Sequence, residues 1–320
     1  MSKPDRAMIP GMRAPQPSLA IEVFDRSALR RQRARRAAGL AAHDFLFREV
    51  AERLADRLDD VKRRFPVALD LGCHTGQLGR ALGGHGGIDC LVQADLAPEM
   101  ARGAGARAVA ADEELLPFAP ASLDLVLSCL SLHWVNDLPG ALLQARRALK
   151  PDGLFLAAML GGETLKELRE ALLAAEAEIS GGASPRVSPF AEVADAGALL
   201  QRAGFALPVV DTDTLSFSYA DPFALMRELS GLGEANAVAA RPKRLTGRRL
   251  LRRAAELYRE RFADGDDRIP ATFQVLYLTA WAPDRSQQRP LRPGSAKRRL
   301  ADALGAKERP AGEKADPRRR

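Results

Sequence analysis

Residues 68–82 read ALDLGCHTGQLGRAL, and this stretch decides the fold of the chain. An apolar run ends in the acid Asp70, Gly72 and Gly76 follow at a tight spacing, and helical character begins after them. His74 stands where the pattern D-x-G-x-G-x-G has its middle glycine. Because any tight turn between a strand and a helix can need glycine, the loop fits a cofactor site, a metal-binding histidine or an ordinary turn.

Short apolar runs separated by helix-length or turn segments surround this loop. They are VALDL (67–71), CLVQAD (90–95), RAVAAD (107–112), LDLVLSCL (123–130) and GLFLAAML (153–160). Runs that are apolar at every position are typical of parallel strands covered on both faces, so the chain is predicted to form a doubly wound α/β sheet.

Helices are predicted on both sides of these runs. Apolar residues recur every three or four positions within residues 41–65, which predicts a long helix with one buried face. A second helix is predicted over 137–150, with Asp137 as its N-cap and Pro151 as its stop. In the second half, LPVVDTDTLSFSY and ATFQVLYLTAW alternate as strands around helical segments. This half is predicted to complete the same sheet and to add a helical cap.

Charge is distributed unevenly along the 320 residues. Residues 1–40 contain 9 Lys and Arg against 3 Asp and Glu, residues 283–320 contain 12 against 5, and residues 41–282 contain 27 against 33. We therefore predict a basic N-terminal arm (1–40), a folded body (41–282) and a basic, disordered tail (283–320). The body divides into a first half (60–160) and a second half with the cap (161–282). Solvated ends are favoured over arms that bind an acidic partner, nucleic acid or anionic lipid.

Nucleic acid is not expected as a partner, because no aromatic residues are interleaved with the arginines. Cys73, Cys90 and Cys129 lack the paired spacing of a zinc site or a disulfide framework, which fits a reducing compartment. No apolar run approaches the roughly 18 to 20 residues of a membrane span, and the proline-rich start resembles neither a signal peptide nor an amphipathic presequence. We expect a soluble, cytoplasmic protein whose basic ends leave open a peripheral contact with the inner face of a membrane.

Polar residues follow four of the predicted strands, at the edge where doubly wound sheets bind ligands. Asp95 lies 23 residues after Gly72, where a carboxylate can accept both hydroxyls of an adenosine ribose. The plainer interpretation is that Asp95 only caps the helix that begins near Pro98. NAD would use the same geometry, but a pyrophosphate needs a close backbone approach at the position of His74.

The segments that carry these residues resemble the successive motifs of the S-adenosylmethionine-dependent methyltransferases with a seven-stranded fold. They are LDLGCHTG, ADLAPEM, ADEELLPF, SLSLHWVNDLP and LKPDG, within about residues 60–160. The resemblance implies a seven-stranded, mostly parallel sheet with a helical cap, and S-adenosylmethionine as the cofactor. The implied cofactor-binding residues are Asp70, Gly72, Cys73, His74, Gly76, Asp95, Leu96, Asp112, Glu113 and Ser128.

The resemblance also implies what these residues bind. Asp70 and the two glycines of the first motif would hold the methionyl part of the cofactor. Asp95 would hold the ribose, and Asp112 with Glu113 would lie near the adenine amino group.

A narrower resemblance spans nearly the whole chain. It is to the family of the mitochondrial complex I assembly factor that has a methyltransferase fold, through FDRSALRRQRARRAA, FPVALDLGC, SLSLHWVNDLPGAL, LKPDGLF, GGETLKELR, SPRVSPF, LLQRAGF, VDTDTL, GLGEANA and IPATFQVLYLTAW. That family is associated with hydroxylation of an arginine in the iron-sulfur subunit at the quinone end of complex I. The alanine-arginine bias and the start of the chain suggest a bacterial relative. The biotin-pathway methyltransferase that esterifies a malonyl carrier protein shares the LHW block but little of the later half.

His74 departs from this family, in which glycine is usual at that position. A negative φ would tolerate the side chain beside the methionyl site, whereas a positive φ would be strained. His74 and His133 could join Asp95 or Asp137 as an iron-binding facial triad, but the spacing is not diagnostic and no metal site is predicted.

Three residues are candidates for chemistry at the mouth of the site. They are His133, Trp134 and Glu163. His133 is equally compatible with a packed histidine at a strand end, and Trp134 with packing over the adenosine or the cap. Glu163 could be a helix-terminal acid or a carboxylate for a substrate arginine. The basic run 26–36 is read first as a solvated helix face, and alternatively as a segment that closes over the cofactor or contacts a partner.

Three functions remain open from the sequence. The first is hydroxylation of a protein arginine, the second is methyl transfer to a carboxyl or other nucleophile, and the third is a non-catalytic assembly chaperone that needs the cofactor for folding. Methyl transfer needs only proximity and a desolvated nucleophile in line with the sulfonium, whereas hydroxylation needs an oxidant.

Overall fold

The computed structural model of the protein describes residues 22–288, 295 and 298–307. Helices of the described residues are α1 (Arg26–Arg36), α2 (Phe45–Asp59), α3 (Gln77–Leu82), α4 (Pro98–Ala104), α5 (Leu138–Ala148), α6 (Lys166–Ser180), α7 (Val193–Arg202), α8 (Pro222–Gly231), α9 (Arg248–Phe262) and α10 (Leu300–Leu304). Strands are β1 (Val67–Leu71), β2 (Cys90–Asp95), β3 (Ala108–Ala110), β4 (Leu123–Cys129), β5 (Leu149–Leu160), β6 (Ala206–Tyr219) and β7 (Ile269–Trp281).

The strands form one sheet in the order β3-β2-β1-β4-β5-β7-β6. Strands β1 to β5 pair in parallel, and β7 is antiparallel to both β5 and β6. The chain runs outward from β1 to β3 and then returns to place β4 beside β1, so strand order reverses between these two strands. This confirms the predicted doubly wound, mostly parallel sheet, and the edge at β1 and β4 is where such folds bind ligands.

Apolar layers cover both faces of the sheet, as the predicted buried strands require. On one face, α2 buries a stripe that includes Leu46, Val50, Leu54 and Leu58, which recur at helical spacing. On the other face, α5 and α7 bury a second cluster against the strands. The central strands β1 and β4 therefore read as continuous apolar runs because neither of their faces meets water, whereas the edge strands β3 and β6 are largely exposed.

The helix predicted over 137–150 is shorter than expected. Asp137 is its N-cap, since its Oδ1 accepts a hydrogen bond from the Gly140 backbone N at 2.9 Å. The helix ends at Ala148 because Leu149 already pairs with the β4 residue Leu123. Pro151 consequently lies inside β5, where the pairing with β4 is irregular and a missing backbone N–H costs no ladder bond.

The N-terminal boundary at residue 40 is wrong for the described residues. Residues 22–40 belong to the body, because Leu29, Arg33 and Leu40 are completely buried there. Phe24 also forms a β-bridge with Val238. Residues 1–21 of the predicted arm lie outside the described residues.

The chain divides into one compact unit that ends at Asp284 and a second that begins at Arg285. The predicted tail boundary lies two residues earlier. Within the described part of the tail, α10 is a short helix where no structure was expected. Among the described residues, no helix has the length and apolar character that crossing a membrane requires.

Candidate functional site

The loop after β1 is fixed to the neighbouring strand by its backbone. The N–H groups of Gly72 and Cys73 both donate to the carbonyl oxygen of Ala94, at 2.7 and 2.9 Å. Gly72 and Gly76 have φ values of +72° and +87°, a region that only glycine adopts freely. The loop therefore needs glycine at these two positions for its backbone path.

Both glycines are also needed by the packing around them. A Cβ on Gly72 would lie 2.1 Å from the Cβ of Ser131, and one on Gly76 would lie 2.8 Å from the carbonyl oxygen of Ala104 in α4. No side chain fits at such distances. The glycines thus bring the loop close to the end of β4 and to α4, which narrows the space at this edge of the sheet.

His74 adopts the conformation that the sequence analysis identified as strained. Its φ is +49°, and its ring is buried. The ring stacks on Phe47 with 4.0 Å between centroids, and Nε2 lies 3.2 Å from the carbonyl oxygen of Cys129. A carbonyl only accepts, so Nε2 carries the proton and Nδ1 is left as an acceptor. Burial lowers the pKa of His74 to about 3, and the ring is neutral.

Asp95 holds the loop together from the end of β2. Its Oδ2 accepts a hydrogen bond from the His74 backbone N at 3.1 Å, and its Oδ1 accepts one from the Ala97 N at 2.8 Å. Asp95 is therefore not the N-cap of α4, which is Ala97, so the plainer interpretation is wrong. It fixes the backbone just before that helix and faces the cradle formed by the strand ends. Burial raises the pKa of Asp95 to about 6, although the positive charge of Arg33 acts to lower it.

Asp70, at the end of β1, is completely buried. Its Oδ2 accepts a hydrogen bond from Gln93 at 3.2 Å, while Oδ1 has no partner among the described residues. Burial raises the pKa of Asp70 to about 7. Its carboxyl is thus the least satisfied acid of the cradle.

Glu113 and Asp112 follow β3 but occupy different places. Glu113 is completely buried and accepts a hydrogen bond from the Ser131 hydroxyl at 2.6 Å, whereas 37% of the Asp112 side chain is exposed. Arg26 of α1 pairs with both acids, at 2.6 Å from Asp112 and in close contact with Glu113. Glu113 therefore lines the cradle, and Asp112 lies at its rim.

Arg33 of α1 lies inside the acidic cradle and is completely buried. Its guanidinium is 3.6 Å from both Asp95 and Glu113 and 3.4 Å from Glu234. The basic run is thus not simply a solvated face: Arg30 is exposed, but Arg33 points into the body. This corrects the first interpretation of 26–36 and supports the alternative, closure over the site.

Negative charge exceeds positive charge in this cradle. Three buried carboxylates, those of Asp95, Glu113 and Glu234, share the guanidinium groups of Arg33 and Arg26. Buried charges are stable only when they are paired, so the cradle suits a ligand that carries net positive charge.

A cavity of about 570 Å³ adjoins the cradle on the side of the cap. Leucines dominate its lining, and Phe47, Phe190 and Trp134 contribute aromatic surface. The size and apolar character are typical of a pocket for a side chain or a small molecule. Phe47 also stacks on His74, so the cavity and the cofactor loop share a wall.

Glu234, between α8 and α9, connects the cavity with the cradle and was not predicted from the sequence. Among the described residues that line the cavity it is the only acid. Its carboxylate accepts a hydrogen bond from Trp134 Nε1 and lies 3.4 Å from His133 Nε2 and from Arg33. Burial opposes its ionisation, but the His133 hydrogen bond and the charge of Arg33 outweigh burial and lower its pKa to about 2.

A signal for Glu234 was present in the sequence. It is the one charged residue of the segment GLGEANA, which carried part of the family resemblance without a role. The chemistry of that segment becomes visible only when the fold brings it to His133 and Trp134.

Several predicted site residues come together, and others do not. Asp70, Gly72, His74, Gly76, Asp95, Glu113, His133 and Trp134 surround the cradle or the cavity. Cys73 is buried in the loop, where burial raises the pKa of its thiol. Leu96 packs on the small cluster around Phe24.

Two predictions need correction. The Ser128 hydroxyl donates to the Leu71 carbonyl oxygen at 2.7 Å, which commits it to joining the ends of β4 and β1. Glu163 is 57% exposed and pairs with Lys166 three residues later, so it lies on the surface and not at the cavity. Glu163 follows β5 closely in the sequence, but this position did not determine which way its side chain points.

The proposed iron triad does not form from the residues considered. Asp95 binds the backbone of His74 and not its ring, and Asp137 caps α5. Within the described ranges, no group of three or more His, Cys, Asp or Glu side chains is arranged to hold a metal ion.

Comparison with known proteins agrees with this geometry. Residues 69–157, from within β1 to within β5, match the family model of the methyltransferase domain. The chain is 44% identical over 289 residues to "Arginine-hydroxylase NDUFAF5, mitochondrial" of Danio rerio, covering 88% of this chain and 89% of that protein. This chain belongs to the NDUFAF5 family.

The chain is also similar to a second NDUFAF5 protein, to a carboxyl methyltransferase and to a solved structure. Human NDUFAF5 is 45% identical over 283 residues, covering 86% of this chain and 81% of that protein. The malonyl-[acyl-carrier protein] O-methyltransferase of Methylovorus is 36% identical over 275 residues, covering 82% and 90%. The solved structure of YcgJ from Bacillus subtilis has the same fold, with a TM-score of 0.50, 17% identity, and 72% and 98% of the two chains covered.

S-adenosylmethionine is the cofactor of this methyltransferase domain, and the residues of the cradle fit it. The cofactor carries a sulfonium and an ammonium, which suit the excess of buried carboxylates. Asp70 Oδ1, His74 Nδ1 and Arg33 Nε have no partner among the described residues and offer both acceptors and a donor to a polar ligand. Asp95 would hold the ribose, and Glu113 would face the adenine.

Proposed function

We propose that this protein binds S-adenosylmethionine and hydroxylates an arginine side chain of a protein, the iron-sulfur subunit at the quinone end of complex I. The name of its NDUFAF5 relatives supports the activity, because these relatives are more similar to the chain than the carboxyl methyltransferases are. The subunit is the substrate that the family resemblance implies.

One observation carries the choice of an arginine, namely the ionised Glu234 at the wall between the cavity and the cradle. A guanidinium that enters the leucine-lined cavity would meet this carboxylate, and planar carboxylate recognition suits arginine. Trp134 and Phe190 offer aromatic faces for the same cation. A substrate carboxylate, in contrast, would be repelled by Glu234.

The chain's own residues would position the substrate. The apolar lining excludes water from the guanidinium, and His133 with Trp134 holds the Glu234 carboxylate in place. Hydroxylation replaces a C–H bond with C–OH, which removes two electrons from the substrate, so an external oxidant of the dioxygen class with a reductant must supply the oxygen atom and balance the electrons.

Carboxyl methyl transfer is the second candidate, because the malonyl-carrier methyltransferases are relatives over most of the chain. Among the described residues, three arginines line the cavity, namely Arg186, Arg241 and Arg244. Arg186 pairs with Glu176 at 2.7 Å and Arg241 with Asp25 at 3.1 Å, which leaves Arg244 as the cation best able to meet a carboxylate. A chaperone without catalysis is the third candidate.

Mass spectrometry of the iron-sulfur subunit tests these functions. The subunit would be isolated from cells that lack this protein and from the same cells supplied with wild type, Glu234→Gln or the surface control Glu163→Gln. We expect the mass of one oxygen on an arginine peptide with wild type and with Glu163→Gln, and its loss in the other two strains. An unmodified arginine in every strain excludes hydroxylation, and a methyl ester on the malonyl carrier protein would establish the second candidate.

A further inference from the structure

Arg33 is held in the cradle in an unusual way. Its side chain is completely buried, yet its contacts with Ser131, Glu234, Asp95 and Glu113 measure 3.3, 3.4, 3.6 and 3.6 Å. Charge-assisted hydrogen bonds between guanidinium and carboxylate groups are usually about 2.7–2.9 Å long. Its Nε has no partner at all among the described residues. Arg33 therefore has charge compensation without good hydrogen bonds.

Arg26, on the same face of α1, shows the contrast. Although its Nε, like that of Arg33, has no hydrogen-bond partner among the described residues, its Nη2 lies 2.6 Å from Asp112 and in close contact with Glu113. These bonds attach α1 to the loop after β3. Because Arg26 already anchors the helix, the buried charge of Arg33 is not needed for that purpose.

We propose that Arg33 binds the carboxylate of the methionyl part of the cofactor. That carboxylate is the anionic group of S-adenosylmethionine. In a cradle with an excess of acids it needs a cation beside it to offset the repulsion. Of the two guanidinium groups in the described cradle, that of Arg26 makes short contacts with Asp112 and Glu113, whereas the contacts of the Arg33 guanidinium measure 3.3 to 3.6 Å.

The position of Arg33 agrees with this role. Its Nη1 lies 3.3 Å from the Ser131 hydroxyl, and Ser131 is the residue that Gly72 approaches so closely. The guanidinium also lies 3.6 Å from Asp95 Oδ2, the oxygen that accepts the hydrogen bond from the His74 backbone N in the loop after β1. A small rotation of a long side chain would bring its unpartnered donors to a carboxylate there.

The same residue connects the cofactor with the substrate cavity, because Arg33 also lies 3.4 Å from Glu234. A carboxylate that engages Arg33 would draw the guanidinium away from Glu234. The Glu234 carboxylate would then be freer to accept a cationic substrate. Arg33 is therefore a cofactor-binding residue whose occupancy also sets the charge at the inner end of the cavity.

The test compares two ligands that differ in the carboxylate alone. They are S-adenosylhomocysteine and its decarboxylated analogue, S-adenosyl-3-thiopropylamine, and their affinities are measured by calorimetry on the full chain. We expect Arg33→Met to weaken S-adenosylhomocysteine about tenfold to hundredfold, the usual effect of losing a hydrogen bond to a charged group, and to leave the analogue within about twofold. Arg33→Lys should lose less, because it keeps the charge without the planar fork.

Two controls define the result. Arg30→Met, an exposed arginine one turn away, should change neither affinity. Asp95→Ala should weaken both ligands, because both contain the ribose. If Arg33→Met does not fold by circular dichroism, the ligand preference of Arg33→Lys decides the question.

Other outcomes would overturn the proposal. Equal weakening of both ligands would show that Arg33 only supports the fold of the site. Tighter binding of both ligands would show that Arg33 obstructs the ribose position. The affinities concern the cofactor alone, so failure here leaves the proposed arginine hydroxylation untouched, and failure of that reaction leaves the assignment of Arg33 intact.

Discussion

His74 shows how a single residue can satisfy tertiary contacts at a local cost. Its left-handed backbone, with φ of +49°, is unfavourable for a side chain, although histidine is among the residues that adopt it more often than most. The stacking on Phe47 and the hydrogen bond to Cys129 stabilise it there. The backbone N–H still reaches Asp95 at 3.1 Å, so the loop keeps the bond that joins it to β2.

Replacing His74 separates these two effects. His74→Gly and His74→Ala lose the same ring contacts, but only alanine retains the left-handed penalty. We expect His74→Gly to be more stable than His74→Ala by about 1 kcal/mol in urea unfolding. At Ala177, which is exposed in α6, alanine should instead be more stable than glycine. A more stable alanine at position 74 would contradict the positive φ.

Asp70 makes stability depend on pH. Burial raises the pKa of Asp70 from its ordinary value of 3.8 to about 7 in the folded protein. Between pH 3.8 and pH 7 the folded protein therefore keeps a proton on Asp70 that the unfolded chain has released. Stability from this group is therefore present at low pH and is lost as the pH rises towards 7, with a slope of up to about 1.4 kcal/mol per pH unit.

Asp70→Asn should remove this dependence while retaining an oxygen for Gln93. We expect the variant to gain stability relative to wild type between pH 5 and pH 8, measured by urea unfolding at each pH. The difference between the two proteins is the relevant quantity, because His74, with a pKa lowered to about 3, contributes the opposite slope at acidic pH. The exposed control Asp56→Asn should show no such trend, and a pH-independent difference for Asp70→Asn would refute the assignment.

At the scale of elements, α1 and the segment after α8 assemble the site together. Phe24, Leu29, Trp134, Ala237 and Val238 form a small apolar cluster. Asn136 fixes the same place by bonding the backbone N and O of Phe24, at 2.8 and 3.1 Å. The helix therefore covers the cradle through packing as well as through its arginines.

Weakening this packing should loosen α1 without unfolding the sheet. Leu29→Ala removes a completely buried side chain, a change that typically costs about 2–5 kcal/mol in a core. We expect faster hydrogen exchange over residues 26–36 and weaker S-adenosylmethionine binding, with little change in β1 or β4. Arg31→Ala, an exposed change in the same helix, is the control. Unchanged exchange in Leu29→Ala would mean that the arginines alone hold α1.

At the scale of the whole molecule, the acidic body and the basic ends have different roles. The body between 41 and 282 carries more acids than bases, yet α1 brings basic residues from the N-terminal region into its acidic cradle. The overall net charge of +7 therefore conceals a site that attracts cations.

The C-terminal unit should be separable from the first. The unit that ends at Asp284 contains both main apolar clusters and every strand of the described sheet. We expect truncation after Asp284 to leave the Tm and the affinity for S-adenosylmethionine unchanged within error, as measured by calorimetry. A truncation ending at Leu278, inside β7, is the comparison and should be strongly destabilised. A lower Tm after the first truncation would show that residues 285–320 stabilise the body.

The sequence by itself determined the elements of the sheet and the place of the cofactor loop. VALDL and CLVQAD coincide with β1 and β2, since buried parallel strands are apolar at every position and end at polar residues. Strand-end acids such as Asp70 and Asp95 were found for the same reason: the carboxyl ends of parallel strands meet at one edge, whatever the rest of the chain does.

Only the tertiary structure decided which charged side chains enter the site. Arg30 and Arg33 were both expected on a solvated helix face, and Glu163 at a helix terminus or beside the substrate. Local spacing does not show which of these residues meets a buried partner. Arg33 is buried because the fold brings Asp95, Glu113 and Glu234 around it, from positions far apart in the chain. The sign of φ at His74 was decided in the same way, because contacts with Phe47 and Cys129 offset a local backbone preference.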